Sequence, residues 1–167
     1  DKFPFASDGS ASYTGSLSQS RYGVAGQSST ESGYTSGGYP PYRDTIDKFP
    51  FASNSPASNV GELTRGIWYA TGQSSSENGY SSGGYAPPNS SRIDKFPFAS
   101  DADATDVGDL TEARYGTAGQ SSAISGGNSG GAPSRRNTID KFPFASAGNA
   151  TDVGNLIEAI FGAAGQQ

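Results

Sequence analysis

Ile46-Asp47-Lys48-Phe49-Pro50-Phe51-Ala52-Ser53 is the stretch that decides the fold. Its core, Asp-Lys-Phe-Pro-Phe-Ala-Ser, begins at Asp1, Asp47, Asp94 and Asp140, at spacings of 46, 47 and 46 residues. Seven identical residues in four places establish a tandem repeat. The units are 1–46, 47–93, 94–139 and a shorter 140–167, forming one repeat domain over 1–167. Asp1 opens on the motif and no Met precedes it, so the chain is expected to be a piece of a longer polypeptide.

Working outward, each motif is followed by Ala-x-x-x-Gly-x-Leu, at Ala11 to Leu17, Ala57 to Leu63, Ala104 to Leu110 and Ala150 to Leu156. Nine residues after each Leu comes a Gly-Gln pair, at Gly26, Gly72, Gly119 and Gly165. Gly doublets follow at Gly37-Gly38, Gly83-Gly84 and Gly130-Gly131. These anchors divide each unit into four short extended segments separated by Gly, Ser, Asn and Pro clusters, a spacing that predicts an all-β chain. In the first segment Ile46, Phe49 and Phe51 alternate approximately, and the Pro between the two Phe removes a backbone donor, which suits a strand end. The Gly-x-Ala-Gly-Gln-Ser segment has no bulk on either face, as an innermost strand requires where several strands crowd together. Helix-like spacing occurs only over 152–164, where Val153, Leu156, Ile157, Ile160 and Phe161 are apolar, and is read as local packing of the last unit.

Composition alone suggests disorder, with 32% hydrophobic residues, 24 Gly and 10 Pro. The nine Phe, nine Tyr and single Trp argue otherwise, because most recur at fixed positions of the repeat and so imply stacked layers. A net charge of -5, with Arg135-Arg136 as the only adjacent basic pair, argues against nucleic acid as a partner. No apolar run approaches the ~20 residues that span a bilayer as a helix, so no membrane partner is expected.

The order of signals resembles kelch repeats: a Gly doublet, then Ile-Asp-Lys-Phe, then a Gly-x-Leu strand, then Arg-Tyr-Gly, then the next doublet. The period fits as well. The resemblance implies a β-propeller-like array of four blades of about 46 residues. The array would be a four-bladed ring whose termini share a blade, or part of a larger ring; an open solenoid or fibre is the remaining arrangement. Runs such as Tyr-Thr-Ser-Gly-Gly, Ala-Thr-Asp-Val-Gly-Asp-Leu-Thr and Ala-Gly-Gln-Ser-Ser are also similar to repeat-containing virion and tail-associated proteins of marine bacteriophages, including cyanophages. That similarity implies a virion or extracellular setting, with other virion proteins or copies of the chain as partners.

The chain has no His and no Cys, so no nucleophile–base–orienter set can be assembled, and no catalytic residue or cofactor is expected. Asp101, Asp103, Asp106 and Asp109 have the look of a calcium loop, but the other units lack these carboxylates. A solvated turn is the expected reading, and no metal site is assigned. The repeated Asp-Lys pair is expected on a strand with its charges at the rim. Tyr34 and Tyr80 are expected to pack between blades. The candidate ligand-binding residues are Tyr39, Tyr42 and Tyr85, beside Pro40-Pro41 and Pro87-Pro88, together with Trp68, where other units carry Tyr22, Tyr115 and Phe161. Tyrosines among Ser and Asn suit stacking on a sugar ring. The expected function is therefore a non-enzymatic structural or attachment protein of a phage particle, contacting a host-surface glycan. A lectin-like carbohydrate-binding propeller is the alternative, and a propeller-type hydrolase or oxidase a distant third.

Overall fold

The structure, a computed structural model, describes residues 1–2 and 8–165. It is all-β, with no helix among the described residues. Three four-stranded antiparallel sheets follow one another along the chain. The first comprises β1 (Ala25–Ser28), β2 (Ser32–Ser36), β3 (Thr45–Pro50) and β4 (Ser58–Glu62) in sequential order. The second comprises β5 (Thr71–Ser74), β6 (Asn78–Ser82), β7 (Arg92–Pro97) and β8 (Thr105–Asp109). The third comprises β9 (Ala118–Ser121), β10 (Ser125–Ser129), β11 (Arg136–Pro143) and β12 (Thr151–Ile160). Each sheet thus takes two strands from before an Asp-Lys-Phe-Pro-Phe motif and two from the motif onward. The helix-like spacing at 152–164 folds largely as the long strand β12. Of a further sheet the described residues include an isolated bridge between Lys2 and Ser12, the counterpart of the Lys48–Ser58 pairing of β3 with β4.

Local pairing explains the repeat. The first Phe of each motif lies opposite a Gly of the preceding strand: Phe49 opposite Gly33, Phe96 opposite Gly79, Phe142 opposite Gly126. Each ring folds over its glycine so closely that a Cβ there would lie 2.3, 2.3 or 2.4 Å from it. The ring covers bare backbone and gains packing that a second side chain would deny it. β3, β7 and β11 all end on the motif Pro, where the missing N–H stops the ladder.

Sheet meets sheet through an aromatic triplet used twice. Tyr34 of β2 stacks on Phe98 (4.8 Å, 25°) and leans on Phe96 (5.7 Å), and its hydroxyl donates to the Phe98 carbonyl at 3.4 Å. Tyr80 of β6 repeats this on Phe144 (4.6 Å, 21°) and Phe142 (5.7 Å), with its hydroxyl on the Phe144 carbonyl at 3.3 Å. Tyr34 and Tyr80 are buried between sheets, with Ile46, Leu63 and Ala104 in the first core and Ile93, Leu110 and Ala150 in the second.

The inner strands β1, β5 and β9 carry a polar version of the same repetition. Gln27 Nε2 donates to Ser36 Oγ within its sheet and to the Tyr80 carbonyl of the next, both at 2.9 Å. Gln73 does the same to Ser82 Oγ at 2.9 Å and the Gly127 carbonyl at 3.0 Å. A Cβ on Gly72 would lie 1.9 Å from the Gly26 carbonyl oxygen, and one on Gly119 2.5 Å from that of Gly72. The segment lacks bulk because neighbouring sheets approach each other there backbone against backbone.

The motif Asp is not at the rim as the sequence suggested. Asp47, Asp94 and Asp140 are fully buried. Each carboxylate accepts the backbone N–H and the hydroxyl of a residue about thirty positions upstream, Ser18, Thr64 or Thr111, at 2.6–2.9 Å. Arg21 adds an ion pair to Asp47 at 3.1 Å and Arg114 one to Asp140 at 2.6 Å. These bonds anchor the segment that carries the chain from one sheet to the next. The motif Lys behaves differently: Lys48 reaches Asp101 of the neighbouring sheet at 3.5 Å, and both are exposed enough that the pair adds little.

Candidate functional site

The linker entering each sheet turns back on the residue after the Gly doublet, giving the bridges Tyr22–Tyr39, Trp68–Tyr85 and Tyr115–Ala132. The linkers are themselves hydrogen-bonded in series. Tyr69 N–H donates to the Gly23 carbonyl (2.8 Å), Gly116 N–H to that of Tyr69 (2.9 Å) and Gly162 N–H to that of Gly116 (2.8 Å). This ladder brings the aromatic residue beside each link to the same end of the array.

The result is a continuous ledge of eight rings. Trp68 is its centre, with ring centroids 5.6 Å from Tyr22, 5.1 Å from Tyr39, 4.5 Å from Tyr69 and 5.8 Å from Tyr85. Tyr42 bridges Tyr39 (5.5 Å) and Tyr85 (6.2 Å). Tyr85 leads to Tyr115 at 5.2 Å, and Tyr115 to Phe161 at 5.7 Å. Tyr22, Tyr42, Tyr69 and Phe161 are exposed, by 51%, 40%, 39% and 49%, while the other four rings are half-buried beside them. The Trp68 indole N–H is buried without a hydrogen-bond partner. Partial desolvation, then the neighbouring phenols of Tyr85 and Tyr39, raise the Tyr42 pKa above the usual phenol value.

Two arginines brace the loops that carry the outer tyrosines. Arg43 Nε donates to the Pro40 carbonyl at 3.3 Å, and an Arg65 terminal nitrogen to the Ala86 carbonyl at 3.1 Å.

The four residues singled out from sequence, Tyr39, Tyr42, Tyr85 and Trp68, all lie in this ledge, although only Tyr42 is exposed. The sequence reading missed Tyr22, Tyr69, Tyr115 and Phe161 as members of the ledge. A signal was present, because Tyr22, Trp68, Tyr115 and Phe161 occupy one register of the repeat. Tyr69 left a different trace: it replaces the glycine that stands at Gly23, Gly116 and Gly162, and adopts their left-handed backbone, with φ of 52° against 67°, 62° and 71°.

The Asp101 to Asp109 cluster is dispersed into structural bonds. Asp103 accepts the Glu62 N–H (3.0 Å), Asp106 the Gly108 N–H (3.1 Å) and Asp109 the Ser91 hydroxyl (2.7 Å). Among the described residues no three carboxylates are grouped as metal ligands. In sequence comparisons the chain matches no protein-family model and no curated protein.

Proposed function

We infer that this chain is a non-enzymatic attachment module that binds carbohydrate through its aromatic ledge. The observation that carries the reading is the contiguity of eight rings, four of them exposed, along one end of the sheet array. Flat aromatic faces stack on the apolar faces of sugar rings, and phenol and indole edges bond the hydroxyls. The ledge crosses unit boundaries, so its natural ligand is an extended glycan of several residues and not a single sugar. Its interacting side chains are neutral, which favours neutral polysaccharide over phosphate-rich polymers. The repeated sheets form a rigid support of propeller-blade type, to which ligand-bearing loops add specificity. In the virion setting implied by the sequence resemblance, the target is a host-surface polysaccharide.

Binding of the purified chain to an array that includes bacterial surface polysaccharides tests this. Tyr22→Ser and Phe161→Ala alter exposed rings and preserve the fold, so specific binding that drops about tenfold or more in each supports the reading. Binding to no glycan at any density, or binding indifferent to both substitutions, rejects it.

A further inference from the structure

The aromatic triplet that joins sheet to sheet has a third, incomplete copy. Phe49 and Phe51 form the same edge-to-face pair, 6.3 Å and 73°, as Phe96–Phe98 (6.0 Å, 78°) and Phe142–Phe144 (5.9 Å, 75°). Those two pairs each hold a buried tyrosine. Among the described residues no tyrosine stacks on Phe49 or Phe51, and Phe51 is 43% exposed. A cleft of about 430 Å3 opens over the pair, lined also by Lys2 and Thr14.

Backbone register shows what is missing. In the complete sheets the tyrosine strand pairs with the motif strand, Tyr34 opposite Lys48 and Tyr80 opposite Lys95. The same lysines pair on their other side with Ser58 and Thr105. Lys2 keeps the second partner, Ser12, through two backbone bonds of 2.8 Å, while its first flank has no strand among the described residues. Its side chain departs from the pattern too. Lys48 reaches Asp101 and leaves the Phe98 carbonyl to the Tyr34 hydroxyl, whereas Lys2 Nζ donates at 3.2 Å to the Phe51 carbonyl, the equivalent acceptor.

We propose that the Phe49–Phe51 face, together with the open flank of Lys2, binds an extended tyrosine-bearing strand of the Ser-Gly-Tyr-Thr-Ser type, supplied by a repeat outside this chain. The strand's tyrosine stands opposite Lys2 as Tyr34 stands opposite Lys48, its ring lies on Phe51, and its hydroxyl takes the Phe51 carbonyl from Lys2. A folded second copy does not offer this strand, because Tyr34 and Tyr80 are 3% and 1% exposed within their own sheets. Gly127 stands at the same place in β10, so that strand lacks the ring and serves as a natural control.

Fluorescein-labelled peptides tested by anisotropy against the full chain decide the matter. A peptide of residues 29–38 should bind saturably. The same peptide with Tyr34→Gly, and a peptide of residues 122–131, should bind at least about tenfold more weakly. Phe51→Ala, at an exposed position, should weaken binding of the first peptide to the same degree, and Lys2→Ala should strengthen it by freeing the carbonyl. Equal binding of the tyrosine and glycine peptides, indifference to Phe51→Ala, or no binding overturns the proposal. A doubled mass in light scattering that reverts in Phe51→Ala also overturns it, by placing a second copy on this face.

Discussion

Where Arg21 and Arg114 stand in their linkers, the second linker carries Ile67, and the consequence falls on Asp94. Asp47, Asp94 and Asp140 are each buried and cradled by an upstream Ser or Thr, but Asp94 has no arginine ion pair like those of Arg21 and Arg114. Burial is the main cause raising its pKa above the usual carboxylate value, with a smaller push from Asp106; the Thr64 bonds and Arg92 oppose it. The folded state therefore holds this proton to higher pH than the unfolded chain does. Its contribution to stability is full below the unfolded pKa of about 3.9 and is lost as pH rises from there through the raised folded value. Asp94→Asn removes the dependence. In urea denaturation the variant should gain on wild type as pH rises from about 4, and should cost less than about 1 kcal/mol near neutrality. Asp47→Asn is the opposite case, because it strands Arg21 in the interior. It should cost about 3–5 kcal/mol at neutral pH. Equal losses for the two variants would remove the role assigned to Ile67. Tyr69 makes a parallel test on the ledge. Its left-handed backbone costs on the order of 1 kcal/mol, so Tyr69→Gly should hold or raise stability while weakening glycan binding. A side chain kept at such a cost is a mark of function, and a clear fall in stability for Tyr69→Gly would deny it.

At the scale of the strand, the inner Gly-Gln segment supplies its own control. Gly26, Gly72 and Gly119 are equivalent in sequence, yet a Cβ on Gly72 would meet the Gly26 carbonyl at 1.9 Å, whereas one on Gly26 meets nothing within 4 Å. Gly72→Ala must push two sheets apart and should destabilise by about 3 kcal/mol or more. Gly26→Ala should stay within about 1 kcal/mol of wild type by the same thermal or urea assay. Much of this level was legible in the chain. The Ile-Asp-Lys-Phe-Pro strand, the Val-Gly strand, the bulk-free Gly-Gln strand and the Gly-Tyr strand all fold where anchors and turn residues placed them. What escaped were properties set by partners far along the chain. The burial of Asp47 depends on Ser18 and Arg21, and no local pattern announces that a charged residue beside Lys faces inward. The helix-like spacing of 152–164 misleads for a related reason: pairing of β12 with β11 prevails over a periodicity carried by residues that remain largely exposed. The ledge was half legible, since the repeat register aligns its aromatic column but not the edge to which the linkers carry it.

For the whole molecule, the two aromatic interfaces make a nearest-neighbour array, in which each sheet is stabilised by what covers its faces. The second sheet is covered on both, by Tyr34 from one side and by Phe142 and Phe144 from the other. Among the described residues the third lacks an aromatic triplet on its outward side, where Gly127 replaces the tyrosine and Val153 and Ile157 are exposed. Amide hydrogen exchange should therefore be slowest in β6 and β7 and faster in β11 and β12. Phe142→Ala removes one shared ring and should cost about 3–5 kcal/mol. Its effect should be graded along the chain. Exchange in β10 to β12 should accelerate most, that in β6 and β7 less, and that in β2 and β3 least, because the Tyr34–Phe96–Phe98 contact is untouched. Phe96→Ala should spread its effect to both the first and second sheets instead. Uniform acceleration across all three sheets in both variants would mean that the chain opens as one cooperative unit. In that event the coupling would lie in the polar ladder of Gln27 and Gln73 along the inner strands and not in the aromatic triplets, and Gln73→Ala would be the substitution that breaks it.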